Sequence, residues 1–171
     1  MVKSKQIWRA ARAASLVAAL IVLSACAKNP AGEPGGLGLG VGGGAGAATP
    51  GSSQDFVVNV GDRVFFETDS TELTAEARTT LDRQAQWLQQ YARYSFTIEG
   101  HADERGTREY NIALGARRAT AVQDYLTSRG IAPNRMRTIS YGKERPVAVC
   151  DDISCWSQNR RAVTVINNAG T

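Results

Sequence analysis

The residues in this chain best suited to chemistry are His101, Asp103 and Arg118. They fall in one stretch, Gly100-His-Ala-Asp-Glu-Arg-Gly-Thr107 and the segment running on to Arg118. A catalytic or metal role for His101 needs partners. It is the only histidine, and neither an H-E-x-x-H nor a G-x-S-x-G pattern occurs. A loop-structuring hydrogen bond is therefore the expected role of His101, and no catalytic residue, metal or cofactor is expected. Asp103 and Arg118 supply one anion and one cation. Taken alone, they read either as a loop–helix salt bridge, which stabilises little, or as a site for a ligand carrying both charges.

The flanking patterns say where these residues sit. Phe96 and Ile98 alternate within Tyr94–Glu99 as in a half-buried strand, and Leu114, Ala121, Val122 and Tyr125 recur at helical spacing. Asp103 then lies just past a strand, and Arg118 lies inside the next helix, one turn beyond Leu114. Mixed α/β sheets gather binding groups outside the carboxyl ends of their strands, so a site is expected there.

The remaining elements follow from the same signals. The folded part is expected to begin near Gln54–Val60, where Phe56, Val58 and Val60 alternate, and Arg63–Phe66 is a short strand candidate. Thr74 suits an N-cap with Glu76 in the first turn. Ala77, Leu81, Ala85, Leu88 and Ala92 then give an apolar face to a helix of about four turns. Thr107 suits the cap of the second helix, which should end at Arg129-Gly130, with Pro133 preventing continuation. Arg137–Tyr141 and Ala162–Ile166 read as the third and last strands. The order βαβαβ plus a final β predicts an α+β fold, two main helices packed on one side of a mixed sheet.

The net charge of +4 does not signal nucleic acid. Lys3, Lys5, Arg9 and Arg12 account for the excess, and the rest of the chain is balanced. Those charges precede an apolar run, Ala13–Leu23, then Ser24-Ala-Cys26, which describes a secretory signal over residues 1–25. The run is shorter than the ~20 apolar residues a membrane-spanning helix needs. Leu23-Ser-Ala-Cys26 resembles the bacterial lipobox, which implies acylation of Cys26 at the mature N-terminus. Ala27 after the cysteine implies, by analogy, the outer membrane. Residues 26–54 are mostly Gly, Ala and Pro after the cysteine and read as a linker. As a flexible coil of about 28 residues it spans roughly 29 Å and stretches to roughly 95 Å. Residues 55–171 form the expected domain.

Gly100, His101, Asp103, Gly106, Asn111, Leu114 and Arg118 together resemble the motif of the OmpA-like peptidoglycan-binding family, over roughly Val64 to Ile166. The wording Asp103-Glu-Arg-Gly-Thr107 and Tyr110-Asn-Ile-Ala-Leu-Gly115 is similar to one lipoprotein branch of it. The resemblance implies an OmpA-like βαβαββ domain and no enzyme. It assigns peptidoglycan contacts to Phe66, Thr68, Asp69, Asp103, Asn111, Leu114 and Arg118. Relatives often carry an apolar residue where Thr68 stands, so the backbone is the expected contributor there. The implied ligand is meso-diaminopimelate of the stem peptide, whose D-centre carries an ammonium and a carboxylate. Asp103 would accept from the first, and Arg118 would bond the second with its planar fork. The implied localisation is the outer membrane, lipid-anchored and facing the periplasm. Implied partners are peptidoglycan, that membrane, and TolB and other Tol proteins, with a role in envelope integrity and division. Nucleic acid is not among them. Asn159-Arg-Arg-Ala162 also resembles the family, and Arg160 and Arg161 could face the glycan or simply solvate the domain's end.

Cys150 and Cys155 bracket four residues. A C-x₄-C pair lacks the further ligands of a zinc site. Behind a secretory signal a disulfide is the default, closing a small loop between the third strand and the last.

Overall fold

The computed structural model describes residues 48–167. The signal segment, Cys26 and the Gly-rich stretch up to residue 47 lie outside the described residues.

The alternation at Phe56, Val58 and Val60 does not make a strand. Ser52 caps a short helix, α1 (Ser53–Asp55), which continues as π-helical turns through Phe56–Gly61. The cause is Asp55. Its carboxylate accepts from the Gly51 N–H (2.8 Å), Trp87 Nε1 (2.9 Å) and Asn59 Nδ2 (2.8 Å), which closes the local backbone. These bonds, Asn59's first, hold the carboxyl below its usual pKa. Phe56 is fully buried, edge-on to Trp87, while Val58 is 64% exposed. The packed region thus starts at Gly51, ahead of the Gln54 start expected from sequence.

Strand β1 is Arg63–Phe65, and helix α2 is Ala75–Gln90. Thr74 caps α2 by accepting from the Ala77 N–H, and Glu76 occupies its first turn. Ala77, Leu81, Ala85 and Leu88 are buried, whereas Ala92 falls beyond the helix and is exposed. Strand β2 is Phe96–His101 and helix α3 is Arg108–Ser128, capped by Thr107. Gly130 follows α3 with φ +89°, a conformation that costs glycine nothing. Strands β3 (Met136–Gly142) and β4 (Arg161–Ile166) complete a sheet of order β1-β4-β2-β3. β2 pairs parallel with β3 and antiparallel with β4, and β1 pairs antiparallel with β4. The expected α+β architecture is therefore the one observed.

A helix not expected from the sequence, α4 (Ile153–Asn159), stands between β3 and β4. Asp152 caps it by accepting from the Ser154 N–H, a cap signal masked by the flanking cysteines. The structure joins Cys150 to Cys155 at the head of α4, Cα atoms 5.7 Å apart.

The core lies between the sheet and α2 and α3. Phe96, Ile98, Leu81, Leu88 and Leu126 are all fully buried in it. What positions the site is how closely α3 approaches β2. A Cβ on Gly100 would overlap the backbone carbonyl of Gly115. Two glycines let the helix backbone lie directly on the strand, which brings Asn111, Leu114 and Arg118 to the end of β2.

Candidate ligand-binding site

Beyond the carboxyl ends of β1 and β2, at the start of α3, is an open cavity of about 290 Å³. Thr68, Asp69, Asp103, Asn111, Leu114 and Arg118 all line it. Phe66 does not. Its ring is buried in the core, with the Arg118 guanidinium 5.1 Å from the ring centroid, so it supports Arg118 from behind.

Arg118 is fully buried. It donates from Nε to the Ser70 carbonyl (2.9 Å), from Nη1 to the His101 carbonyl (2.9 Å) and from Nη2 to the Glu67 carbonyl (3.2 Å). Three of five N–H donors are thus used to hold the loop after β1 against the end of β2, and two remain. Burial pushes its pKa down to about 10, with Arg160 adding to the shift and Asp103 and Asp69 opposing it. Arg118 forms no ion pair with Asp103, so the simple salt-bridge reading of the two residues does not hold.

Asp103 has other partners. Arg105 closes on it through Nη2 (2.6 Å), Nε (3.3 Å) and its backbone N–H (3.2 Å). Arg160 reaches it through Nη1 at 3.3 Å. Burial by itself would raise the pKa of Asp103. The bonds and charge of Arg105, with Arg160, outweigh it and hold the carboxyl below its usual range. Asp69, at φ +55°, accepts a hydrogen bond from the Tyr110 hydroxyl across the cavity mouth. Asn111 is buried and donates to the Arg105 carbonyl (2.7 Å), fixing the turn before α3.

His101 departs from expectation. Its ring is buried and neither nitrogen has a hydrogen-bond partner. Glu99 Oε2 lies 3.7 Å from Nε2, beyond hydrogen-bond reach. Only the His101 backbone serves the loop, by accepting from Arg118. Burial, then the charges of Arg161 and Arg145, push the imidazole pKa down to about 4.

Arg160 and Arg161 do not solvate the domain's end, since both are buried. Arg160 joins the cavity wall and ties Asp103 to the Phe66 carbonyl through Nε (3.1 Å). Arg161 faces the other way, donating to the Asn159 and Arg145 carbonyls.

A family model described as the OmpA family matches residues 65–160. The chain belongs to the OmpA family. Among OmpA-family relatives, a "Peptidoglycan-associated lipoprotein" of Rhizobium meliloti is 71% identical over 153 residues, covering 88% of this chain and 85% of the relative. One of the same name from Brucella melitensis biotype 1 is 73% identical over 124 residues, covering 72% of this chain and 74% of that one. The crystal structure of the peptidoglycan-associated lipoprotein from Burkholderia pseudomallei matches with a TM-score of 0.64 at 36% identity, over 68% of this chain and all of that one. These OmpA-family relatives are named for an association and not for a reaction.

Sequence reasoning missed Arg105 and Tyr110, and left Arg160 between a ligand-facing and a solvated place; the structure puts it in the cavity wall. Arg105 had a usable signal, a cation two residues from the acid in a tight turn. For Arg160 the family-like run Asn159–Ala162 was the signal, and its partner Asp103 was not legible because it is far away in sequence.

Proposed function

We propose that this protein is a lipoprotein of the outer membrane that binds peptidoglycan non-covalently and tethers that membrane to the cell wall. The observation that carries the reading is the cavity in which buried Asp103 and buried Arg118 face one space. One anion and one cation there suit the D-centre of meso-diaminopimelate. The two spare N–H groups of Arg118 would take the carboxylate, and Asp103 would accept from the ammonium. Leu114 supplies an apolar wall for the methylene chain. Charge-assisted bonds contribute about 1.5–3 kcal/mol each, so a single site binds modestly. Many copies facing one polymer would add avidity.

The names of the similar lipoproteins support the rest of the proposal. Cys26 would carry the lipid, the Gly-rich linker read from the sequence ahead of Gly51 would act as a tether, and the domain would face the periplasm. Two or more acyl chains suffice for stable anchoring. The resemblance of the 103–115 segment to one lipoprotein branch is what supports a place in the Tol system, with TolB as a partner competing for the site, and hence a role in envelope integrity and division.

The test is a sacculus pull-down using residues 48–171, which keep the Gly51 contacts, beside an Asp103→Asn variant. The domain should sediment with sacculi that contain diaminopimelate, and the variant should not. Equal recovery of both would remove Asp103 from the site. Release of soluble fragments during the incubation would favour a wall-cleaving enzyme instead. Mass spectrometry of the native protein should find acyl mass on Cys26, and co-purification should recover TolB.

A further inference from the structure

The carboxylate that should receive a ligand's ammonium is already occupied. Arg105 binds Asp103 side-on, with Nη2 at 2.6 Å from Oδ2 and Nε at 3.3 Å from Oδ1. With Arg160 and the Arg105 backbone N–H, this leaves Asp103 little free acceptor capacity. Arg105 itself is the solvent-facing partner of the pair. Its side chain is 41% exposed, and its guanidinium carbon lies 4.4 Å from the ring centroid of Trp156 on α4. The backbone around it is pinned independently, by Asn111 on its carbonyl and by Lys143 Nζ on the carbonyls of Glu104 and Gly106. Trp156 is fixed by its own bond from Nε1 to Glu104 (2.8 Å). The side chain can therefore leave Asp103 without unmaking the loop, and it already lies over an aromatic face that can keep hold of it.

We propose that the Arg105 guanidinium is an internal counter-ion standing where a ligand's ammonium belongs, so that binding at Asp103 proceeds by exchange while the displaced guanidinium keeps its place over Trp156. The proposal rests on the stem-peptide reading above and adds a residue that sets affinity and selects for cationic ligands. A ligand without an ammonium gains nothing by displacing Arg105. Arg160 has a different part. It is 5% exposed, is also bound to the Phe66 carbonyl, and keeps Asp103 paired throughout. The pair is open to solvent on the Arg105 side and Asp103 keeps Arg160, so the competition it imposes is modest and the exchange is reversible.

The test uses the full chain and its Arg105→Ala and Arg105→Lys variants in calorimetric titrations. The probes are three L-Ala-γ-D-Glu tripeptides. One ends in meso-diaminopimelate, one in Lys (ammonium, no D-centre carboxylate) and one in 2-aminopimelate (carboxylate, no distal ammonium). Arg105→Ala should bind the first two about two- to fivefold tighter than wild type and leave the third unchanged or weaker. Arg105→Lys should fall between. In the free wild-type protein, the Arg105 Nε–H signal in nitrogen-resolved NMR should show a paired guanidinium, and the Lys peptide should return it to the free position. Weaker binding of the ammonium-bearing peptides by Arg105→Ala would make Arg105 a direct contact and overturn the exchange. An equal change for all three would assign the effect to the loop as a whole and also overturn it. If wild type binds and no ammonium-dependent gain appears, the exchange alone fails. If no protein binds any probe, the stem-peptide reading fails and takes the exchange with it. Circular dichroism checks folding, which Arg105→Ala should preserve because Asp103 keeps Arg160.

Discussion

Replacing Arg118 by Ala tests two roles at once, and the structure separates them. The side chain is fully buried and holds the carbonyls of Ser70, His101 and Glu67. Its loss orphans the His101 carbonyl in a buried setting, which costs about 1–3 kcal/mol. The other two carbonyls are half-buried and water entering the vacated space can reach them, so they add less. Relief of the burial that depresses the Arg118 pKa to about 10 offsets a part. The net expectation is a loss of about 2–3 kcal/mol. Against a typical domain stability of about 5–15 kcal/mol the variant stays folded, with Tm lower by roughly 8–12 °C. Binding should fall further than stability does. Losing a charge-assisted carboxylate contact costs the diaminopimelate peptide about ten- to a hundredfold. The Lys peptide lacks that carboxylate and should lose much less. Arg118→Lys should recover more stability than binding, because an ammonium can still donate to carbonyls but cannot offer paired donors to a carboxylate. Thermal melts and calorimetric titration of both peptides measure the two effects. A folded Arg118→Ala protein that still prefers diaminopimelate over Lys as strongly as wild type would refute the carboxylate role. An unchanged Tm would refute the structural one.

Three further predictions concern the frame. Gly100→Ala should prevent α3 from seating on β2, since the new Cβ meets the Gly115 backbone; soluble expression and near-ultraviolet dichroism should both collapse, and a native spectrum would refute the close approach. His101 binds a proton more weakly in the folded protein (pKa about 4) than its ordinary 6.5, so the unfolded state holds more protons between those values. Stability should therefore fall by roughly 3 kcal/mol as pH drops from about 6.5 to about 4, and comparing denaturant midpoints of wild type and His101→Phe should isolate that slope, which disappears in the variant if the reasoning holds. Non-reducing peptide mapping of periplasmic protein should find Cys150 linked to Cys155, and the double Ser variant should fold with a loss on the order of 2 kcal/mol or less, because small loops gain least from closure.

The sheet, both main helices and their caps were legible because each signal is local. Thr74 and Thr107 cap within three residues, and Phe96 and Ile98 declare their face by period two. The helical turns of the N-terminal segment were not legible, because the alternation at Phe56, Val58 and Val60 is a local hint that a non-local bond overrides. Asp55 is drawn into its turn by Trp87, 32 residues on. Helix α4 was missed because a short helix depends on its cap and packing more than on periodicity. At the site, the residue types were legible and their partners were not. Asp103 and Arg118 line one cavity as expected, yet neither bonds the other. Each is satisfied by groups the motif does not mention, a set of backbone carbonyls for Arg118 and two further arginines for Asp103.

The placement of the chain's entry bears on the tethering proposal. The Gly51 carbonyl accepts from the Tyr94 hydroxyl (2.8 Å), just before β2 begins, while Asp103 stands just after β2 ends. The segment leading toward the proposed anchor therefore meets the domain at one end of the central strand, and the proposed ligand meets it at the other. A pull between membrane and wall would run along β2. It would load the ladders to β3 and β4 in shear, where many hydrogen bonds resist together, rather than peel them one at a time. The contacts that take the load first are those at Gly51, where Asp55, Tyr94 and Arg93 converge. Asp55→Ala removes the group that joins Gly51 to Trp87 without touching the cavity. It should lower the force at which the domain yields in single-molecule pulling between Gly51 and Asp103, while leaving stem-peptide affinity unchanged. Unaltered yielding force would show that the load bypasses Gly51, and a matching loss of affinity would show that the two ends of β2 are not mechanically separate.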